Sequence, residues 1–124
     1  MKHEIFRPRH HIPKFSAILW QAVKTPVLIY FAVAGNAVTF ASAYLFLILE
    51  RATNPNVSNY IDALWWAMCT ISTVGYGDIA PITTGGRLVG IFLIITGVTF
   101  FLSFLALLVS VMSALLNEEL QSDS

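Results

Sequence analysis

Residues 73 to 78 read Thr-Val-Gly-Tyr-Gly-Asp, with Gly75 and Gly77 one residue apart and the carboxylate of Asp78 directly after them. Glycine accepts φ values that other L-residues resist, so this spacing lets successive peptide groups alternate in hand. The chemistry open to such a run belongs to the backbone rather than to side chains. Taken alone, the hexapeptide also fits a glycine-containing hairpin turn of a β protein. Side-chain chemistry is sparse elsewhere. The sequence shows no nucleophile–base pair and no metal-ligand cluster, so no enzyme is expected. Cys69 is the one cysteine, which excludes an intrachain disulfide and leaves the redox compartment open. His3, His10 and His11 are residues of a type that can act as a pH switch, yet they lie in an N-terminal segment that reads as a solvated tail.

The surroundings of the hexapeptide decide which reading holds. Of 124 residues, 56% are hydrophobic and 11% charged, whereas soluble domains carry about 25% charged residues. A chain this short has little interior in which to hide so much apolar surface. Lipid is the better solvent. A net charge of zero argues against a nucleic-acid partner. Thr25 to Leu49 and Leu88 to Asn117 are uncharged for 25 and 30 residues, and about 20 apolar residues cross a bilayer. Pro26 opens the first span, where its missing amide costs little. Glu50 and Arg51 close it, and Glu118 and Glu119 close the second.

A third uncharged stretch, Ala63 to Gly77, has only 15 residues and is too short to span. Its front part predicts a helix over Ile61 to Ile71, capped at Ser58 or Asn59 with Asp62 in the first turn. Its glycine-bearing back part predicts irregular backbone, so the segment enters the membrane and returns on the same side. Irregular backbone at that depth survives only where it is buried in protein or lines a water-filled path. This constraint points to a pore or a binding cavity.

Five of the seven basic residues (Lys2, Arg7, Arg9, Lys14 and Lys24) precede the first span. Positive residues stay inside, which predicts cytoplasmic termini and an outward-facing re-entrant segment in a multi-pass cell-membrane protein. Ala41-Ser42-Ala43 mimics a signal-peptide cleavage site, but the apolar run continues past it to Leu49. Phe15, Ile18, Leu19, Ala22 and Val23 recur at helical spacing between Pro13 and Pro26. They predict a short interfacial helix.

Set between two spans and after a short apolar helix, Thr73-Val74-Gly75-Tyr76-Gly77-Asp78 resembles the selectivity-filter signature of potassium channels. The resemblance covers about Pro26 to Leu116 and includes Trp65-Trp66, Pro81 and the Thr84-Gly85-Gly86-Arg87 approach to the second span. It implies a homotetramer around a shared axis. Carbonyls of Thr73, Val74, Gly75 and Tyr76, with the Thr73 hydroxyl, would form a ladder of K+ sites. Gly77 completes the alternation, and Val74 and Tyr76 turn their side chains away from the ions. Trp65 and Trp66 would form a cuff around the filter, with Tyr76 reaching a hydrogen bond such as Trp66 of a neighbouring copy. Asp78 would ring the outer mouth, attract cations and accept a hydrogen bond from Trp65. One departure is Cys69, where some bacterial members carry a buried glutamate. It reads as a small buried hydrophobe, and inactivation behaviour is not carried over.

Gly97, 24 residues after Thr73, matches the gating-hinge position of the family, with Gly90 as a second candidate. Close helix packing is the other use of such glycines, and Gly86 with Gly90 makes a GxxxG pair for it. Phe101, Leu105, Val109 and Ser113 come after Gly97 at four-residue steps, either lining an inner pore or packing against lipid and core. No arginine-rich voltage sensor is present. Gating then belongs to the pore and its lipids, or to a regulatory domain or subunit outside this chain. The expected fold is an all-α membrane protein, with two transmembrane helices flanking a re-entrant pore helix and selectivity filter, assembled as a tetramer. Residues 1–25 form the cytoplasmic N-terminal segment, 26–117 the pore domain and 118–124 a short tail. The expected activity is passive, K+-selective conduction gated by inner-helix bending, with K+ the permeant ion and no organic cofactor. A weakly selective cation channel and a non-conducting membrane anchor or assembly subunit are the alternatives.

Overall fold

The computed structural model describes residues 15–122, so Lys2, Arg7, Arg9, Lys14 and the three histidines lie outside the described residues. Four helices are arranged in chain order: α1 (Phe15–Val23), α2 (Pro26–Glu50), α3 (Tyr60–Ile71) and α4 (Thr84–Ser122). No strand occurs among the described residues, which removes the hairpin reading of residues 73–78. Both α2 and α4 are long and apolar enough to cross a membrane.

Local signals explain the helix ends. Pro26 stands in the first turn of α2, and extended Thr25 precedes it. A capping box opens α3: Asn59 accepts from the Asp62 amide, while the Asp62 carboxylate accepts from the Asn59 amide. Two of the orphan amides at the helix start are thereby satisfied. The second long helix runs past Asn117 to Ser122. Glu, Leu and Gln are good helix formers, so the change in polarity there does not end it.

The helices α2 and α4 pack along each other, and α3 lies on both. Phe46 of α2 stacks on Trp66 of α3, with ring centroids 3.7 Å apart and planes at 10°. Ala43, Ala63, Ala67, Ile71 and Leu93 fill the same core. The approach of α4 depends on missing side chains. A Cβ at Gly86 would collide with the Glu50 carboxylate, one at Gly90 would meet Trp66 at 3.5 Å, and one at Gly97 would stand 2.5 Å from Ile71. Gly86 and Gly97 therefore serve close packing within the chain, whereas a Cβ at Gly90 would make only ordinary contact.

Ile18 and Ala22 of α1 are buried, Trp20 and Val23 are exposed, and the Lys24 ammonium sits 4.7 Å from the Trp20 ring centre. The short helix packs mainly on α4. Elsewhere α2 and α4 turn large apolar side chains outward. Tyr30, Val33, Ile95 and Val109 are each more than 60% exposed, a surface suited to lipid or to other chains rather than to water.

Candidate functional site

The last turn of α3 shapes the backbone that leaves it. Ser72 caps the helix, and its hydroxyl donates to the Met68 carbonyl at 2.7 Å. The Thr73 amide donates to the Thr70 carbonyl and the Gly75 amide to the Cys69 carbonyl, both at 3.1 Å. Carbonyls that would otherwise be orphaned at the helix end are thus occupied by the departing chain. Backbone φ is +60° at Thr73, +57° at Gly75 and +76° at Gly77. Every second residue is left-handed. Glycine takes this conformation freely. Thr73 does not: a β-branched residue at positive φ is a genuine outlier and costs on the order of 1–2 kcal/mol. Nothing lies within 4 Å of a Cβ built at Gly75 or Gly77, so conformation, not crowding, explains the glycines.

The two tryptophans diverge. Trp66 points into the core against Phe46. Trp65 faces the irregular run: its indole donates to the Asp78 carboxylate at 2.8 Å, and its ring stacks on Tyr76 at 5.5 Å and 8°. The Trp65–Asp78 bond expected from the sequence is present. Val74 and Tyr76 are 53% and 68% exposed in the single chain. Cys69, expected to be a small buried hydrophobe, is half-buried. At the start of α3, hydrogen bonds from the Ser58 amide and hydroxyl and the Asn59 amide hold the Asp62 carboxyl below its ordinary value.

Sequence reasoning missed the polar centre of this region. Glu50 reads as the residue that ends a span, yet it is fully buried. Its carboxylate accepts from the Ile82 amide at 3.0 Å, the Thr83 amide at 2.9 Å, the Thr83 hydroxyl at 2.6 Å and the Asn54 side-chain amide at 2.7 Å. A buried carboxylate is tolerated only when so satisfied. The available signal was a glutamate closing an apolar run, with a side-chain-free Gly86 later in the chain to make room for it.

The inner residues are less gathered. Gly97 is buried against Ile71, the last residue of α3. Phe101 joins Gly97, Phe31, Asn36, Met68 and Ser72 around a cavity of about 210 Å³. Leu105 and Val109 lie beyond it, 41% and 67% exposed. Packing, the second use proposed for Gly97, is thus visible directly. No group of three or more potential metal-ligating His, Cys, Asp or Glu side chains occurs among the described residues.

Comparison with known proteins agrees with this architecture. The family described as ion channel matches residues 30–114, which takes in all of α3, the irregular run and most of α2 and α4. Human potassium voltage-gated channel subfamily A member 7 is 42% identical over 72 residues, 58% of this chain and 15% of that protein. The mouse protein of the same name is also 42% identical over 72 residues, 58% of this chain and 14% of its own length. Human subfamily A member 4 is 43% identical over 72 residues, 58% of this chain and 11% of that protein. What is shared is a small part of much longer channels. With two apolar helices packed around a short capped helix and an alternating backbone run, the chain belongs to the ion channel family.

Proposed function

We propose that the chain is one quarter of a potassium-selective pore. Four copies surround a common axis and present the backbone carbonyls of residues 73–76, with the Thr73 hydroxyl, to dehydrating K+ ions. The observation that carries this reading is the left-handed φ at Thr73, Gly75 and Gly77. Strain at a β-branched residue persists where the surrounding structure imposes it, and such outliers cluster at functional sites. Alternating φ turns successive carbonyls toward one side, which is what replacing a hydration shell requires. The names of the similar proteins support K+ as the ion.

In this arrangement Asp78 concentrates cations at the outer mouth, and the Trp65 indole braces it. Val74 and Tyr76, exposed in the single chain, meet neighbouring copies. The re-entrant segment faces outward and both termini are cytoplasmic, in a cell membrane. Bending of α4 at Gly97 opens the inner pore past Phe101, Leu105 and Val109. Gly97 touches Ile71, so a bend there also moves α4 against the end of α3.

Flux measurement in liposomes is the test. Purified protein is expected to pass K+ and Rb+ far better than Na+, and chemical cross-linking in detergent to stop at tetramer. Equal Na+ and K+ fluxes would favour a weakly selective cation channel. A dimeric endpoint would exclude the four-fold pore.

A further inference from the structure

The segment returning from the irregular run, residues 78–83, has no strand beside it, yet side chains hold its backbone at residues 78, 80 and 82 as well as at Thr83. The Asn56 side-chain amide donates to the Asp78 carbonyl at 3.4 Å. The Asn54 side-chain amide donates to the Ala80 carbonyl at 2.9 Å. Glu50 accepts from the Ile82 amide at 3.0 Å. Residues 78, 80 and 82 are thus each held by a different side chain, Glu50 from the end of α2 and Asn54 and Asn56 from the loop after it.

Asn54 is the centre of this arrangement. It is 4% exposed. Its Nδ2 faces two acceptors, Glu50 Oε2 at 2.7 Å and the Ala80 carbonyl, and its Oδ1 faces a donor, the Asn56 amide at 3.1 Å. Both amide hydrogens and the oxygen are used, which fixes the orientation of the side chain. The Asn56 bond turns the loop so that the Asn56 side chain reaches Asp78. Aspartate matches Asn54 in shape but cannot supply two donors.

The geometry points to Asn54 as a positioning residue for the outer mouth. It transmits the fixed position of the buried Glu50 carboxylate to Ala80 and, through Asn56, to Asp78, and so holds the end of the filter in its conducting form. It touches no ion. This role rests on the reading of residues 73–78 as a K+ filter and adds a residue that sets how long the filter stays conducting.

Sustained K+ flux per tetramer, measured in liposomes, tests it with Asn54→Ala, Asn54→Asp and Asn56→Ala beside the wild type. Failure of the wild type to pass K+ would sink the filter reading itself. With a conducting wild type, Asn54→Ala is expected to lower the sustained conducting fraction about tenfold, the equivalent of one hydrogen bond to a charged group. Asn56→Ala should lower it less. Asn54→Asp is the decisive variant, since it also reads out if Asn54→Ala fails to assemble. It sets a second carboxylate beside Glu50, and two such groups share a proton in acid. Its flux relative to wild type should therefore fall as external pH rises from acid to neutral. Asp78 and Asp62, the other carboxyls of the outer face, are present in both proteins and cancel in the ratio. A flux ratio independent of pH, or an assembled Asn54→Ala conducting like the wild type, would overturn the proposal while leaving the filter reading intact.

Discussion

Around the irregular run, Glu50 is joined to Ile82 and Thr83, 32 and 33 residues away, and Trp65 to Asp78, 13 residues away. Along the spans, the side-chain hydrogen bonds given by Asn36, Thr96 and Thr99 each return to the carbonyl four residues earlier on the same helix. Glu50 and Asn54 are buried, whereas Ile95 and Val109 are 65% and 67% exposed. One chain is enough to shape the region around residues 78–83, because its polar groups find partners within that chain. The long helices, whose apolar faces stay uncovered, are completed by what surrounds them, which is lipid and, in the proposed assembly, three further copies.

The largest effect is expected from Gly77→Ala. A side chain at φ +76° is strained even though the space is open, at a cost of about 1–2 kcal/mol in each chain of the proposed tetramer. The ratio of Rb+ to Na+ flux in liposomes should collapse, and an unchanged ratio would refute the carbonyl ladder. Next comes Glu50→Ala, which strands the Asn54, Ile82 and Thr83 donors in a buried site. A loss of about 3 kcal/mol is expected, since buried unsatisfied groups each cost about 1–3 kcal/mol. It should appear as a lowered melting temperature of the detergent-solubilised protein. If Glu50→Ala melts with the wild type, the contrast between the two regions fails.

Acid should act more mildly, through Asp62. Its carboxyl is held below the ordinary value of 3.8 by hydrogen bonds from Ser58 and Asn59. A lowered folded pKa means that the stabilisation is present above pH 3.8 and lost as pH falls through the folded value. Melting measured against pH should fall in that window for the wild type and fall by less for Asp62→Asn. The smallest effect on stability belongs to Val109→Ala. An exposed position of this kind changes stability by about 0.5 kcal/mol or less, so melting should stay put while single-channel conductance reports whether Val109 lines the path. A drop as large as that of Glu50→Ala would mean that α4 around Val109 is packed as tightly as the region around Glu50.

The elements were legible because their signals are local. Twenty-five uncharged residues ending at Leu49, the Asn59–Asp62 cap and two glycines one residue apart each act within a few turns of chain. Trp65 and Asp78 were also within reach, since both lie at short range from the irregular run. Thr73 joining Gly75 and Gly77 at positive φ was not, because a threonine gives no local sign that it will be forced left-handed. The folded chain shows it, with the Thr73 and Gly75 amides tied back to carbonyls three and six residues earlier in the last turn of α3, a local turn that the residue types alone do not announce. The tertiary structure decided the burial of Glu50. A carboxylate after an apolar run reads as the place where the chain meets water, and the return of Ile82 and Thr83, with Gly86 leaving space, adds to Asn54 the donors that keep it inside. Low charge and its placement were written in the sequence. Which charge is buried, and which backbone it holds, depends on partners more than thirty residues away.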